Sequence, residues 1–124
     1  LYELRVLKNE LKNESNEIKK LSKHIIKKYN IKNLIVTRSE KGLMFISKNK
    51  VIKSHSKAKQ VFDVSGAGDT VVSVIAVCLV LKIEMKTILE IANVCASWVI
   101  SFVGTKSIDR DFFLENLSMR IKNV

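Results

Sequence analysis

A chain of 124 residues with 47% hydrophobic content and a formal net charge of +10 has the material for one core and too little length for two independent domains. The charge excess is local, with 16 Lys and Arg against 5 Asp and Glu in residues 1–60 and 6 against 7 in residues 61–124. Only eight residues are aromatic and none alternates with the lysines, so the basic half reads as a solvated surface and not as a nucleic-acid face.

In chain order, Glu3 and Glu10 interrupt the opening stretch, and no secretory leader is expected. Ile18, Leu21, Ile25 and Tyr29, with Ile26 beside them, recur at helical spacing and predict an amphipathic surface helix over 15–29. Asn33–Thr37 is a short β-branched run, and Gly42–Ser47 with Val51–Ser56 predict two strands joined around Lys48-Asn49-Lys50. Gln60–Val64 suggests one more extended piece. From Gly68 to Leu81 apolar residues fall on nearly every side, which predicts a buried helix. A second apolar helix is expected from about Lys86 to Phe102, ended by Gly104, and Asp109 is placed to cap a last helix through Phe112, Phe113 and Leu117.

The apolar runs Thr70–Leu81 and Ile91–Val103 each fall short of the roughly 18–20 residues a membrane span needs. Cys78 and Cys95 lie inside those runs, seventeen positions apart, which suits neither a metal pair nor a disulfide framework. Two buried, reduced thiols in a cytoplasmic protein are expected.

The chemistry concentrates at Asp63-Val64-Ser65-Gly66-Ala67-Gly68-Asp69. Three small residues between an extended segment and a helix start let their amides converge at the positive helix end, an anion site. Asp69 follows on the first turn, where a carboxylate can take a proton from an alcohol beside a bound phosphate. The plainer alternative is a tight turn into a helix with Asp69 as an ordinary first-turn acid.

Asp-x-x-Gly-Ala-Gly-Asp-Thr before an apolar helix resembles the signature of the ribokinase-like (PfkB) carbohydrate kinases. The resemblance implies a partial α/β ribokinase-like fold of the Rossmann-like three-layer kind, with residues 1–124 as the carboxy-terminal, ATP-binding part of the kinase domain. It further implies Asp69 as catalytic base, Gly66, Ala67 and Gly68 as anion hole, and Asp63 near a monovalent cation or Mg-phosphate network. Ser65 stands where the family often has Thr and keeps the hydroxyl, and Gly104-Thr105 is similar to the loop that closes beneath the cation site.

Val36-Thr37-Arg38-Ser39-Glu40-Lys41-Gly42 is similar to the family's nucleotide loop, Thr-x-Gly-x-x-Gly, with Ser39 in place of the first Gly. This version looks like the kinase domain of bacterial enzymes that phosphorylate D-glycero-D-manno-heptose 7-phosphate at carbon 1. Thr37, Arg38, Ser39 and Gly42 become nucleotide-binding candidates. Asn93 matches a position near the adenine, against the alternative of a hydrogen-bonded core residue, and Glu3 matches the Glu of an Asn-x-x-Glu motif that orders Mg-bound water, against a solvated surface Glu. The expected cofactors are ATP and Mg2+, with K+ as a further candidate. The expected partners are a sugar phosphate and either the missing amino-terminal half or a second copy. A non-catalytic nucleotide-binding fragment and another PfkB sugar kinase such as a ribokinase are the alternatives.

Overall fold

The computed structural model describes residues 14–121. Helix α1 (Glu14–Lys28) is followed by strand β1 (Asn33–Thr37), a 3-10 turn at Ser39–Lys41, strands β2 (Leu43–Ser47) and β3 (Val51–Ser54), and helices α2 (Ala67–Val80), α3 (Met85–Val99) and α4 (Arg110–Ile121). The three strands form an antiparallel sheet in the order β1-β2-β3, with Thr37 opposite Leu43 and Phe45 opposite Ile52.

The central strand β2 is buried on both faces, and its alternation divides the interior in two. Met44 and Ile46, with Val36, point to one side and receive Ile18 and Ile26 of α1. Leu43 and Phe45 point to the other and join Val71, Val74, Ile75 and Cys78 of α2 with Ile88, Leu89, Ile91, Ala92 and Cys95 of α3. The result is helix, sheet and helices in three layers.

Helix α1 carries Glu14 and Glu17 in its first turn and Lys27 and Lys28 in its last, charges that complement the helix dipole. It stops at Asn30, whose φ of 51° is left-handed, while the Ile31 amide donates to Ile26 O. Helix α2 ends the same way. Lys82 takes φ 56°, its amide bonds Leu79 O and that of Ile83 bonds Cys78 O, the pattern in which a glycine is usual. The Asp109 cap forms as expected, its carboxylate accepting the Phe112 amide at 2.9 Å.

Several expectations are corrected. In α1, Ile18, Leu21, Ile25 and Ile26 are half-buried around the buried Ser22, with Ile18 and Ile26 packed on the sheet, but Tyr29 lies one residue past the helix end and is exposed. Gln60–Val64 forms no strand, because the Phe62 amide donates to Ile100 O at 2.9 Å, beyond the end of α3, and not to a sheet edge. Strand β2 begins at Leu43 and β3 ends at Ser54, two residues before Ser56. Helix α3 ends at Val99 in short-range turns, Ser101 N to Trp98 O and Phe102 N to Val99 O, so Gly104 is not its cap. Helix α2 is covered on one face only: Val72, Leu79, Val80 and Leu81 are exposed.

Cys78 and Cys95 are free and buried in the α2–α3 layer. Burial pushes the Cys78 thiol up, and pushes that of Cys95 to about 11 with Cys78 adding to the effect. Trp98 is half-buried, edge-on to Phe102 at 4.6 Å and stacked on Phe112 at 5.1 Å between ring centroids, and so ties α3 to α4. No helix among the described residues is long and apolar enough to cross a membrane.

Candidate active site

The Ser39–Lys41 turn is shaped by two unusual backbone positions. Gly42 adopts φ 81° and ψ −142°, a region essentially reserved for glycine. Ser39, with φ 52°, holds the left-handed conformation that glycine would take without strain. The Arg38 amide donates to Gly42 O at 2.8 Å and the Gly42 amide to Ser39 O at 3.0 Å, closing the loop on itself.

Asn93 holds the floor of this loop. Its Nδ2 donates to Ser54 O at 2.9 Å, Ser54 Oγ at 2.7 Å and His55 O at 3.2 Å. These bonds turn the chain out of β3 and keep Ser54 beneath Gly42. The side-chain amide is therefore a structural clamp, the alternative that its place in an apolar helix allows.

At the other wall the chain enters α2 through Gly66, which is left-handed at φ 79°. The Ala67 amide donates to Val64 O at 3.2 Å and that of Thr70 to Gly66 O at 3.0 Å. Ala67's N–H is thus engaged within the turn, while Gly68 and Asp69 sit in the first helical turn, where a helix offers no acceptor of its own. A Cβ on Gly68 would meet nothing within 4 Å, and Gly68 itself lines the cavity between the two walls.

A cavity of about 450 Å³ joins the two walls, lined by Thr37, Arg38, Ser39 and Gly42 from the loop, Ala67 and Gly68 from the helix start, and Asn93, Ala96 and Ser97 from α3. That volume is in the usual range for a small-ligand site, about 300–1,000 Å³. Arg38 Nε is buried without a hydrogen-bond partner, leaving a cationic group at the rim incompletely satisfied. Asp69 is exposed on the next position of α2 and does not line the cavity; it stands on the outer side of the helix start. Lys41 is engaged with Glu14, and Lys57 lies off the cavity wall.

Asp63, Ser65 and Gly104 come together beside the motif. Asp63 Oδ1 accepts the Ser65 amide at 2.8 Å, and hydrogen bonds from Ser65 above all, with the Gly104 amide contributing, hold its carboxyl below the usual range. The adjoining Thr105 lies against Gly66, where an added Cβ would meet its Cγ2 at 3.2 Å. No group of three or more His, Cys, Asp or Glu among the described residues could hold a metal. A Mg2+ ion here would depend mainly on phosphate oxygens and water, its usual mode with nucleotides. Glu3 lies outside the described residues.

Sequence reasoning located both walls of the cavity. It did not single out Ser54, Ala96 or Ser97, whose only signal is a small side chain in an apolar or strand context.

A three-layer α/β arrangement with a Gly-Ala-Gly helix start facing a strand-end loop defines a ribokinase-like kinase fold. The PfkB carbohydrate kinase family profile matches residues 1–111, and the chain belongs to that family. It is 34% identical over 119 residues to the bifunctional protein HldE of Shewanella piezotolerans, covering 95% of this chain and 25% of the relative. Arabidopsis thaliana ribokinase, solved with ribose and ATP, superposes with a TM-score of 0.68 at 28% identity, covering 77% of this chain and 33% of that one. Escherichia coli phosphofructokinase-2, solved with potassium, shares the fold with a TM-score of 0.77 at 17% identity, covering 97% of this chain and 39% of that one. The chain thus spans about a quarter of the HldE relative and a third to two-fifths of these kinase structures.

Proposed function

We propose that this chain is the carboxy-terminal, ATP-binding part of a cytoplasmic sugar kinase whose acceptor is heptose 7-phosphate, phosphorylated at the carbon 1 hydroxyl. The observation that carries the reading is the 450 Å³ cavity, which brings the Thr37–Gly42 loop and the Ala67-Gly68 helix start to one volume, with Asp69 next in sequence on the exposed outer side of that helix start. The heptose assignment draws on the identity to HldE and on Ser39 in the nucleotide loop.

ATP would supply the transferable phosphoryl group, and a Mg2+ ion, held mainly by phosphate oxygens and water, would neutralise the developing charge. The cavity holds the nucleoside between the loop and α3, and the Gly68 and Asp69 amides face the phosphate end at the positive pole of α2. Asp69 accepts the proton of the acceptor hydroxyl, so its carboxylate must meet the acceptor on the outer side of the same helix turn. Transfer of this kind rests mainly on positioning and charge stabilisation. Asp63, Ser65 and Gly104 fix the loop behind the anion site and are the candidates for a K+ contact.

Phosphoryl transfer from Mg-ATP to heptose 7-phosphate, assayed with the chain paired with an amino-terminal kinase part, tests this directly. Product is expected, and Asp69→Asn should lower the rate by about 10²–10⁴-fold. Preferential use of ribose or fructose 6-phosphate would contradict the heptose assignment. A second reading, a nucleotide-binding fragment without catalysis, draws on the uncovered face of α2 and predicts ATP binding with no transfer in any pairing.

A further inference from the structure

The basic half of the chain reads as solvated surface in the sequence, but the fold gathers part of it at one pole. Helix α1 ends at Lys27 and Lys28, and the chain turns through the left-handed Asn30 into β1. Asn33, the first residue of β1, stands opposite Ser47, the last of β2, so the same register carried one step outward sets Lys32 beside Lys48. The β2–β3 turn closes with the Ser47 amide on Lys50 O at 2.8 Å. Lys27, Lys28, Lys32, Lys48 and Lys50 are all exposed and share this end of the sheet.

No acid offsets them locally. The sequence has no Asp or Glu from 18 to 39 or from 41 to 62. Glu14 and Glu17 lie in the first turn of α1, roughly 15–20 Å from its end along the axis and beyond the screening length of about 8 Å at physiological ionic strength. Helix α2 starts at the cavity and α3 returns to it, so the turn between them also lies toward this pole, with Lys82 and Lys86 exposed against Glu84.

Tyr29 and Ile31 stand between the lysines, 63% and 36% exposed, with Lys28 Nζ 5.3 Å from the centroid of the Tyr29 ring. Cations around an exposed aromatic and an exposed aliphatic side chain suit the interface of an anionic bilayer, where headgroup charge attracts lysine and a tyrosine ring sits at headgroup level. A nucleic-acid strand calls for a row of stacking aromatics, and among residues 14–54 Tyr29 is the only exposed one. The cavity wall from Thr37 to Glu40 lies at the other end of β1, about 13 Å further along the strand, so a bilayer at the pole leaves the cavity open.

We propose that the pole formed by the end of α1 and the β2–β3 turn is a peripheral docking surface for a bilayer rich in anionic lipid, with the five lysines against the headgroups and Tyr29 and Ile31 at the interface. No described helix is long and apolar enough to cross a membrane, and the contact is reversible and salt-sensitive. Each basic residue near such a surface tightens association about fivefold. The surface is separate from the sugar-kinase reading and stands or falls without it.

Vesicle flotation tests it. The chain is mixed with vesicles of phosphatidylcholine alone or with one-third phosphatidylglycerol, beside Lys28→Glu/Lys48→Glu, Tyr29→Ser and the control Lys57→Glu/Lys59→Glu, which makes the same charge change at exposed positions beyond β3. Association with the anionic vesicles alone is expected, falling as salt rises. Lys28→Glu/Lys48→Glu should weaken it at least tenfold and Tyr29→Ser several-fold, with less than half that loss in the control and thermal midpoints unchanged. If the first double variant does not fold, Lys32→Glu/Lys50→Glu carries the same expectation. No association with the anionic vesicles overturns the proposal, and so does equal weakening by the pole and control variants, which would make net charge the cause. Tighter association with duplex DNA or RNA at the same salt also overturns it, by assigning the pole to nucleic acid.

Discussion

Gly42 lies directly against Ser54: a Cβ at Gly42 would stand 2.1 Å from the Ser54 carbonyl oxygen and 2.6 Å from the Ser56 amide nitrogen. The nucleotide loop and the exit of β3 are therefore one packed unit, with no room for a methyl group between them. Gly42→Ala should cost about 3 kcal/mol or more, combining a glycine-only backbone region with overpacking against main chain. A urea midpoint within experimental error of the unaltered chain would contradict this packing.

Ser39 is the converse case. It holds a left-handed backbone at φ 52°, which costs a residue with a Cβ about 1–2 kcal/mol, of which the extra freedom of unfolded glycine offsets part. Ser39→Gly is expected to raise stability by about 0.5–1 kcal/mol and leave Mg-ATP affinity within twofold. A loss of stability would mean that the Ser39 side chain contributes more than the strain it imposes.

Asn93 joins α3 to the end of β3 through three acceptors. Asn93→Leu removes the donor and leaves buried carbonyls unpaired, a loss of about 1–3 kcal/mol. Asn93→Asp should be worse, because a carboxylate would face carbonyl oxygens. If the residue serves the adenine alone, both variants will weaken ATP binding and leave the thermal midpoint unchanged; the geometry predicts that the midpoint falls first.

The two thiols give the fold a defined alkaline limit. With Cys95 at about 11 in the folded chain and a reference value of 9.0, the unfolded state loses its proton first as pH rises. Their contribution is fully present below pH 9 and lost progressively as pH rises toward 11. Thermal midpoints should fall more steeply across that window in the unaltered chain than in Cys78→Ala/Cys95→Ala. Parallel slopes would show that the buried thiols do not titrate on unfolding.

The sequence made the framework legible where a local rule decides the outcome. The β-branched Asn33–Thr37 run, the Asp109 cap and the Gly-Ala-Gly start of α2 each follow from one turn or one strand. Misreadings arose where tertiary partners decide. Periodicity extends the half-buried stripe of α1 to Tyr29, but the helix ends at Lys28 and Tyr29 turns out to solvent. The all-round apolar pattern of α2 predicts burial on every side, yet Val72, Leu79 and Val80 are exposed, because pattern alone does not say which neighbours are present. Asn93 lines the cavity, and its amide supports the wall.

The central claim is that the cavity beside Gly68 binds a nucleotide by its phosphates. Calorimetric titration of Mg-ATP into the unaltered chain and into Gly68→Leu tests it most directly, since a Cβ at Gly68 meets nothing within 4 Å at a residue that lines the cavity. The account predicts saturable binding to the unaltered chain, lost or weakened at least tenfold in the variant, with equal thermal midpoints. Absence of binding by the folded, unaltered chain, or equal binding by both, would contradict it.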